Sequence, residues 1–162
     1  MMKHMKLQQE LKLKQPLASV NHETLLSLVR TSALMQKLSD RFFSQFGLTD
    51  VQFNILMILK EHGGSGMSQQ ELSEHLIVTK SNVVGLIDRL ERGGYVKRMS
   101  HPTDRRFNQI VLTPEGARLE LKIEQSYFAE VDKMMNALSN PQKKAVIQAM
   151  ERIRQYIINN GA

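Results

Sequence analysis

Two helix-start signals in close succession, followed by two strand-like runs, restrict this chain more than any other feature. Thr49 with Gln52, and Ser68 with Glu71, each form a capping box, which satisfies two orphan backbone donors at a helix N-terminus reciprocally. Each box has an apolar pair placed to staple the entering chain, Leu48 with Phe53 and Met67 with Leu72. The first helix is expected to run through Ile55, Leu56 and Leu59 until Gly63-Gly64-Ser65-Gly66 breaks it. The second is short and ends near His75. Thr79 then reads as the N-cap of a further helix that stops at Gly93-Gly94, where a left-handed C-terminal cap is expected. Two short helices joined by about three residues have helix-turn-helix spacing. Residues 95–100 and 107–112 read as two strands, with Val96, Ile110 and Leu112 facing the core. A β-hairpin directly after such a helix is a wing.

Longer helices flank this unit. Over 22–46, Leu28, Met35, Leu38 and Phe42 form one apolar stripe, and Leu25, Val29 and Leu34 form a second, so the helix is expected to pack on two bodies. Thr113-Pro114 opens another helix with the preferred N-cap and N1 residues, striped by Leu119, Ile123, Tyr127, Val131, Met134 and Leu138. After Ser139-Asn140-Pro141 a last helix carries Val146, Met150, Ile153 and Ile157. The fold class is therefore mostly α with a small β-hairpin wing, a winged helix-turn-helix plus a helical region. With 162 residues the chain buries a sufficient core without disulfides or metals.

The charge is uneven. The chain carries a net +6, which favours a polyanionic partner. Residues 79–106 hold seven Lys or Arg against three Asp or Glu, whereas 114–162 hold seven against six. Residues 1–16 add Lys3, Lys6, Lys12 and Lys14 in what reads as a flexible basic arm. Cysteine is absent, which excludes a disulfide framework, a thiolate metal site, a cysteine nucleophile and a thiol sensor. No apolar run has the roughly 20 residues needed to span a bilayer, and no signal-peptide core follows the basic start. The protein is expected to stay in the cytoplasm.

The segment from Thr79 carries the expected function. The major groove of B-DNA admits one α-helix, whose N-terminal residues reach the base edges. Lys80, Ser81 and Asn82 are suited to that contact, Lys toward guanine and Asn toward adenine, while Val83, Ile87 and Leu90 hold the helix to its domain. Thr79 and Arg89 complete the candidate set on this helix. Gly85, costly inside a helix, points to a close approach by a neighbour or by DNA. In the wing, Asp104 reads as a brace for Arg106, which enters the minor groove or meets phosphate with Arg105 alongside.

The stretch Leu86-Ile87-Asp88-Arg89-Leu90-Glu91-Arg92-Gly93-Gly94-Tyr95-Val96-Lys97-Arg98, followed by Asp104-Arg105-Arg106 and by Val111-Leu112-Thr113 with Gly116, resembles the signature of the MarR family of transcriptional regulators. That resemblance implies a single unit over 17–162, with 48–113 as the winged helix-turn-helix and 17–47 and 114–162 as dimerisation helices. It implies a homodimer joined through Leu28, Met35, Val146, Met150, Ile153 and Ile157, bound to a palindromic operator as a repressor. It further implies a small aromatic effector in a pocket between the dimerisation and DNA-binding parts.

Other chemistries have little foothold. Catalysis has no phosphate loop, nucleophile elbow or paired carboxylates, so no enzyme is expected. His62 and His75, with Glu71 and Glu74 near in sequence, lack recognisable metal-ligand spacing, so neither metal nor cofactor is expected. Met35, Met57, Met134, Met135 and Met150 read as core, with an adaptable ligand-pocket lining as the functional version. The alternatives are an architectural DNA binder without effector and a winged-helix protein–protein module. The charge of Lys80, Arg105 and Arg106 argues against the module.

Overall fold

The computed structural model describes residues 7–64, 66–76, 83–100 and 108–161. Its elements are α1 (Leu7–Glu10), α2 (Val20–Ser44), α3 (Asp50–Glu61), β1 (Met67–Ser68), α4 (Gln69–His75), α5 (Val83–Arg92), β2 (Val96–Ser100), β3 (Asn108–Leu112), α6 (Pro114–Met135) and α7 (Asn140–Gly161). The result is a mostly helical chain with one small antiparallel sheet, as the sequence predicts.

Local signals fix the helix ends. Both capping boxes form: the Thr49 N–H donates to Gln52 Oε1 at 3.0 Å, and the Ser68 N–H to Glu71 Oε2 at 2.7 Å, with the reciprocal bonds in place. Thr113 caps α6 by accepting from the Gly116 N–H at 3.0 Å, with Pro114 just inside the helix. α2 departs from the expected 22–46 at both ends. Ser19 accepts from the His22 N–H and starts the helix earlier. At the other end Gly47 turns left-handed with φ +68, and the Leu48 N–H donates back to Phe43 O.

The sheet has the order β1-β3-β2. β2 and β3 form the expected hairpin strands, registered from Val96 opposite Leu112 to Ser100 opposite Asn108. β1 is not expected from the sequence, because 67–68 reads locally as a staple and a cap. It pairs Met67 with Ile110 and Ser68 with Gln109. Gly66, φ +75, makes that approach possible: a Cβ there would lie 2.8 Å from Val111 Cγ2 and 2.9 Å from the Ile110 carbonyl oxygen.

The core sits in the winged unit. Phe53, Ile55 and Leu56 of α3, Leu72 of α4, Ile87 and Leu90 of α5, Val96 and Ile110 of the sheet and Ile123 of α6 are buried together. Phe43 joins α2 to this core, and its ring stands 5.1 Å from Phe53 and 5.8 Å from Tyr127. Among the described residues Met67 is the fully buried methionine, whereas Met57, Met134, Met135 and Met150 are half-buried. Met35 corrects the expectation of a core residue, being 42% exposed.

Exposure concentrates on two helices. α7 buries none of its residues and leaves Val146, Ile147, Tyr156, Ile157 and Ile158 in the open. α2 exposes Leu25, Val29, Leu34, Met35 and Leu38. Within the basic arm, α1 is a single turn tied to α2 by an ion pair of 2.6 Å between Glu10 and Arg30.

Candidate nucleic-acid interface

α5 is seated by one apolar stripe. Val83, Ile87 and Leu90 are buried, so the opposite side of the helix faces outward by helical periodicity. Arg89 and Arg92 lie outside that stripe, and both are exposed. Arg92 Nε donates to the Asp88 carbonyl oxygen at 3.3 Å, and Arg89 makes no ion pair among the described residues. The helix ends as expected in a left-handed residue, Gly94 at φ +75, with the Tyr95 N–H donating to Leu90 O and the Gly94 N–H to Glu91 O.

Among the described residues, Arg98 fastens the wing to α5. Arg98 on β2 places Nη2 2.5 Å from Asp88 Oδ1, and its other terminal nitrogen meets Glu91 Oε2. The Arg98 backbone N–H donates to Glu91 Oε1 at 3.0 Å. The Asp88 contact, and then the Glu91 charge, hold the guanidinium pKa above its ordinary value although partial burial opposes them. Arg98 is therefore an internal brace, and its charge is matched by α5 rather than offered outward. In the sequence it counts simply with the basic segment; two carboxylates on one face of α5, at i and i+3, are the available signal.

The start of α6 closes the unit from behind. Thr113 Oγ1 donates to the Gly94 carbonyl at 2.7 Å, and the Thr113 N–H to Tyr95 O at 3.0 Å. Gly116 lies so close to this turn that a Cβ would stand 2.0 Å from the Tyr95 carbonyl oxygen. Thr113 and Gly116 thus hold the exit of α5 against α6 and fix the direction from which β2 leaves.

Of the expected DNA-contacting residues, Arg89 is placed, exposed on α5 outside its core-facing stripe. Thr79, Lys80, Ser81 and Asn82, which precede α5, and Asp104, Arg105 and Arg106, between β2 and β3, lie outside the described residues. Lys97 on β2 is a further exposed cation. Among the expected dimerisation residues, Leu28 and Met150 are half-buried and Met35, Val146, Ile153 and Ile157 are exposed.

A cleft of about 160 Å³ opens on α3 and α4, lined by Asn54, Met57, Ile58, Glu61 and His75. It belongs to the winged unit rather than to a junction with α2 or α6. Among the described residues, no group of three His, Cys, Asp or Glu is placed to hold a metal ion. No helix among them is long and apolar enough to cross a membrane.

A buried carboxylate carries no mark in the sequence. Glu120 of α6 is fully buried, and Lys60 Nζ, at the end of α3, lies 2.7 Å from its Oε2 and 2.8 Å from Glu124 Oε2. The Lys60–Glu120 contact is an ion pair rather than a well-aligned hydrogen bond, and the described residues give Glu120 no other polar partner. Close contact with Glu120, then with Glu124, raises the Lys60 pKa above its ordinary 10.5.

Comparison with known proteins agrees with this architecture. The model of the MarR family matches residues 48–107, the winged unit and little else. The HTH-type transcriptional repressor YetL of Bacillus subtilis is 34% identical over 129 residues, covering 79% of this chain and 77% of that protein. The HTH-type transcriptional regulator PecS of Dickeya dadantii is 27% identical over 135 residues, covering 83% and 81%. Among solved structures, the MepR–DNA complex of S. aureus superposes with a TM-score of 0.72 at 24% identity, covering 80% of this chain and 96% of that one.

Proposed function

The chain belongs to the MarR family of transcriptional regulators, whose named relatives are DNA-binding regulators rather than enzymes, and from that premise we propose that it is a homodimeric repressor of a palindromic operator. The observation that carries the reading is the braced reader itself. A helix seated by Val83, Ile87 and Leu90 is pinned through Arg98 to a wing strand, with Arg89, Arg92 and Lys97 around it as outward cations.

In this proposal the N-terminal end of α5 enters the major groove with Thr79, Lys80, Ser81 and Asn82, and Arg89 meets the flanking backbone. Asp104 orients Arg106 at the minor groove, with Arg105 beside it. Repression is taken from YetL, which is named a repressor.

Self-association is supported by α7. An isolated helix is marginal in water, and most helical stability in proteins comes from packing an apolar face. α7 has such a face and buries nothing. A second copy covers it, with Val146, Met150, Ile153 and Ile157 packing against Leu28 and Met35 of α2, and so divides the chain into 48–113 for DNA and 17–47 with 114–162 for dimerisation. Two-fold symmetry then sets half-sites about 34–36 Å apart. A small aromatic effector at the junction of the two parts shifts that spacing, with a coupling of about 1–3 kcal/mol. The protein works where its DNA is, in the cytoplasm.

Sedimentation of the full chain with and without operator DNA tests this reading. A dimer that binds one palindrome, and an Ile157→Asp variant that is monomeric and no longer binds, support it. A wild-type chain that binds DNA as a monomer rejects it.

A further inference from the structure

Val84 stands out on α5. It is 56% exposed, although its neighbour Val83 is buried in the core. One turn further on the same side, Asp88 is engaged by Arg98. Val84 therefore lies nearer the N-terminus of α5 than the wing clamp, on the flank beside the wing. Gly85 follows it, about 200° round the helix from Val83 and hence opposite the core-facing stripe.

Neither residue helps the helix. Valine loses rotamer freedom in a helix, and glycine ranks below every residue but proline. Val84 is exposed and Gly85 is only half-buried, so little packing offsets this, and local choices that conflict with the local fold gather at functional sites. A bare backbone at Gly85 allows the helix to lie deep against a ligand, and an exposed isopropyl group beside it is suited to an apolar feature of that ligand. Arg89 and Arg92 further along α5, and Lys97 on β2, are exposed cations without an ion pair among the described residues, so the complementary surface is anionic. In a DNA major groove the apolar feature is the thymine C5 methyl group, which no other base presents.

We propose that Val84 reads a thymine methyl group in each half-site, and that Gly85 provides the clearance for it to do so. This rests on the reading of α5 as the recognition helix. Val84 thus determines specificity for thymine over cytosine, while the polar residues that precede α5 recognise hydrogen-bonding edges.

Replacing thymine by uracil removes the methyl group and leaves base pairing intact, so it isolates this contact. A duplex selected by the full-length protein from a randomised library is remade with each half-site thymine changed singly to uracil, in both half-sites together. It is titrated with wild-type protein and with Val84→Ala. At one position uracil is expected to weaken wild-type binding by about fourfold per half-site, the worth of burying one methyl group. Val84→Ala is expected to lose the same factor on the thymine duplex and to be indifferent to uracil there. Its thermal midpoint should not fall, because alanine is the better helix former.

A selected duplex on which no uracil effect vanishes in Val84→Ala overturns the inference and leaves the regulator reading standing. So does a lowered thermal midpoint, which would make Val84 a packing residue. Failure of the library to yield any preferred sequence overturns the regulator reading and this inference with it.

Discussion

Arg98 Nη2 and Asp88 Oδ1 lie 2.5 Å apart, joining the first wing strand to the helix expected to read DNA. Glu91 meets the second guanidinium nitrogen, so both carboxylates of α5 hold the same side chain of β2.

Arg98→Met removes that clamp and leaves Asp88 and Glu91 as unmatched carboxylates on the helix expected to read DNA. Hydrogen bonds to charged groups are worth about 1.5–3 kcal/mol each before solvent screening, and these groups are a quarter to a half exposed, so a stability loss of about 1 kcal/mol is expected. Operator affinity should fall by about tenfold or more. Adding Asp88→Asn and Glu91→Gln should recover part of the affinity. Urea unfolding and operator titration of the same proteins check both effects.

Gly116→Ala should reverse the usual sign of a glycine-to-alanine change in a helix. Propensity alone favours alanine by about 1 kcal/mol. Here the added methyl meets the Tyr95 carbonyl oxygen at 2.0 Å, so the backbone must shift. A net loss of about 1–3 kcal/mol, typical of overpacking, is expected in denaturant unfolding. The same change at the exposed Gly161, where nothing approaches, provides the control.

Lys60 is the sole polar partner the described residues give to the buried Glu120. Lys60→Met should therefore destabilise the chain by about 1–3 kcal/mol, the cost of an unsatisfied buried acceptor. The double variant Lys60→Met with Glu120→Met should be markedly more stable than the single one, since an apolar pair can replace a buried ion pair.

The same pair gives a pH signature. Lys60 has a folded pKa raised above 10.5, so its contribution is fully present below the unfolded value and is lost as pH rises through the folded one. Wild type should lose more stability than Lys60→Met on the alkaline side, above about pH 10.5. Equal alkaline losses in the two proteins contradict this assignment.

The residues expected to contact DNA should divide by role. Arg89→Ala and Arg106→Ala should each weaken binding to any duplex and reduce the salt slope by about 1, as expected when one phosphate-neutralising cation is removed. Asn82→Ala should relax preference at one base position and leave the slope unchanged. Competition with single-base operator variants at several salt concentrations separates the two patterns.

What is legible in the sequence follows the range of the interactions involved. Thr49, Ser68 and Thr113 announce their helices because a cap is completed within three residues. Met67 does not announce a strand, because its partner Ile110 is distant in the chain and two residues carry no period. Glu120 looks like one more solvated charge, since burial against α3 is a tertiary fact. Met35 falls on an apolar stripe, but a stripe does not say whether the chain itself or another body covers it. Arg98 is visible as a cation and invisible as a brace. The candidate base-reading residues Lys80, Ser81 and Asn82, and the wing residues Asp104, Arg105 and Arg106, lie outside the described residues and are known from sequence alone.

The most direct test of the central claim is a titration of the full-length protein on its own upstream intergenic DNA beside a random duplex, at two salt concentrations. A preference of about 10³-fold or more for the upstream duplex, the lower end for specific regulators, is the predicted result. Equal, salt-sensitive binding to both duplexes would contradict a local sequence-specific repressor and favour an architectural role.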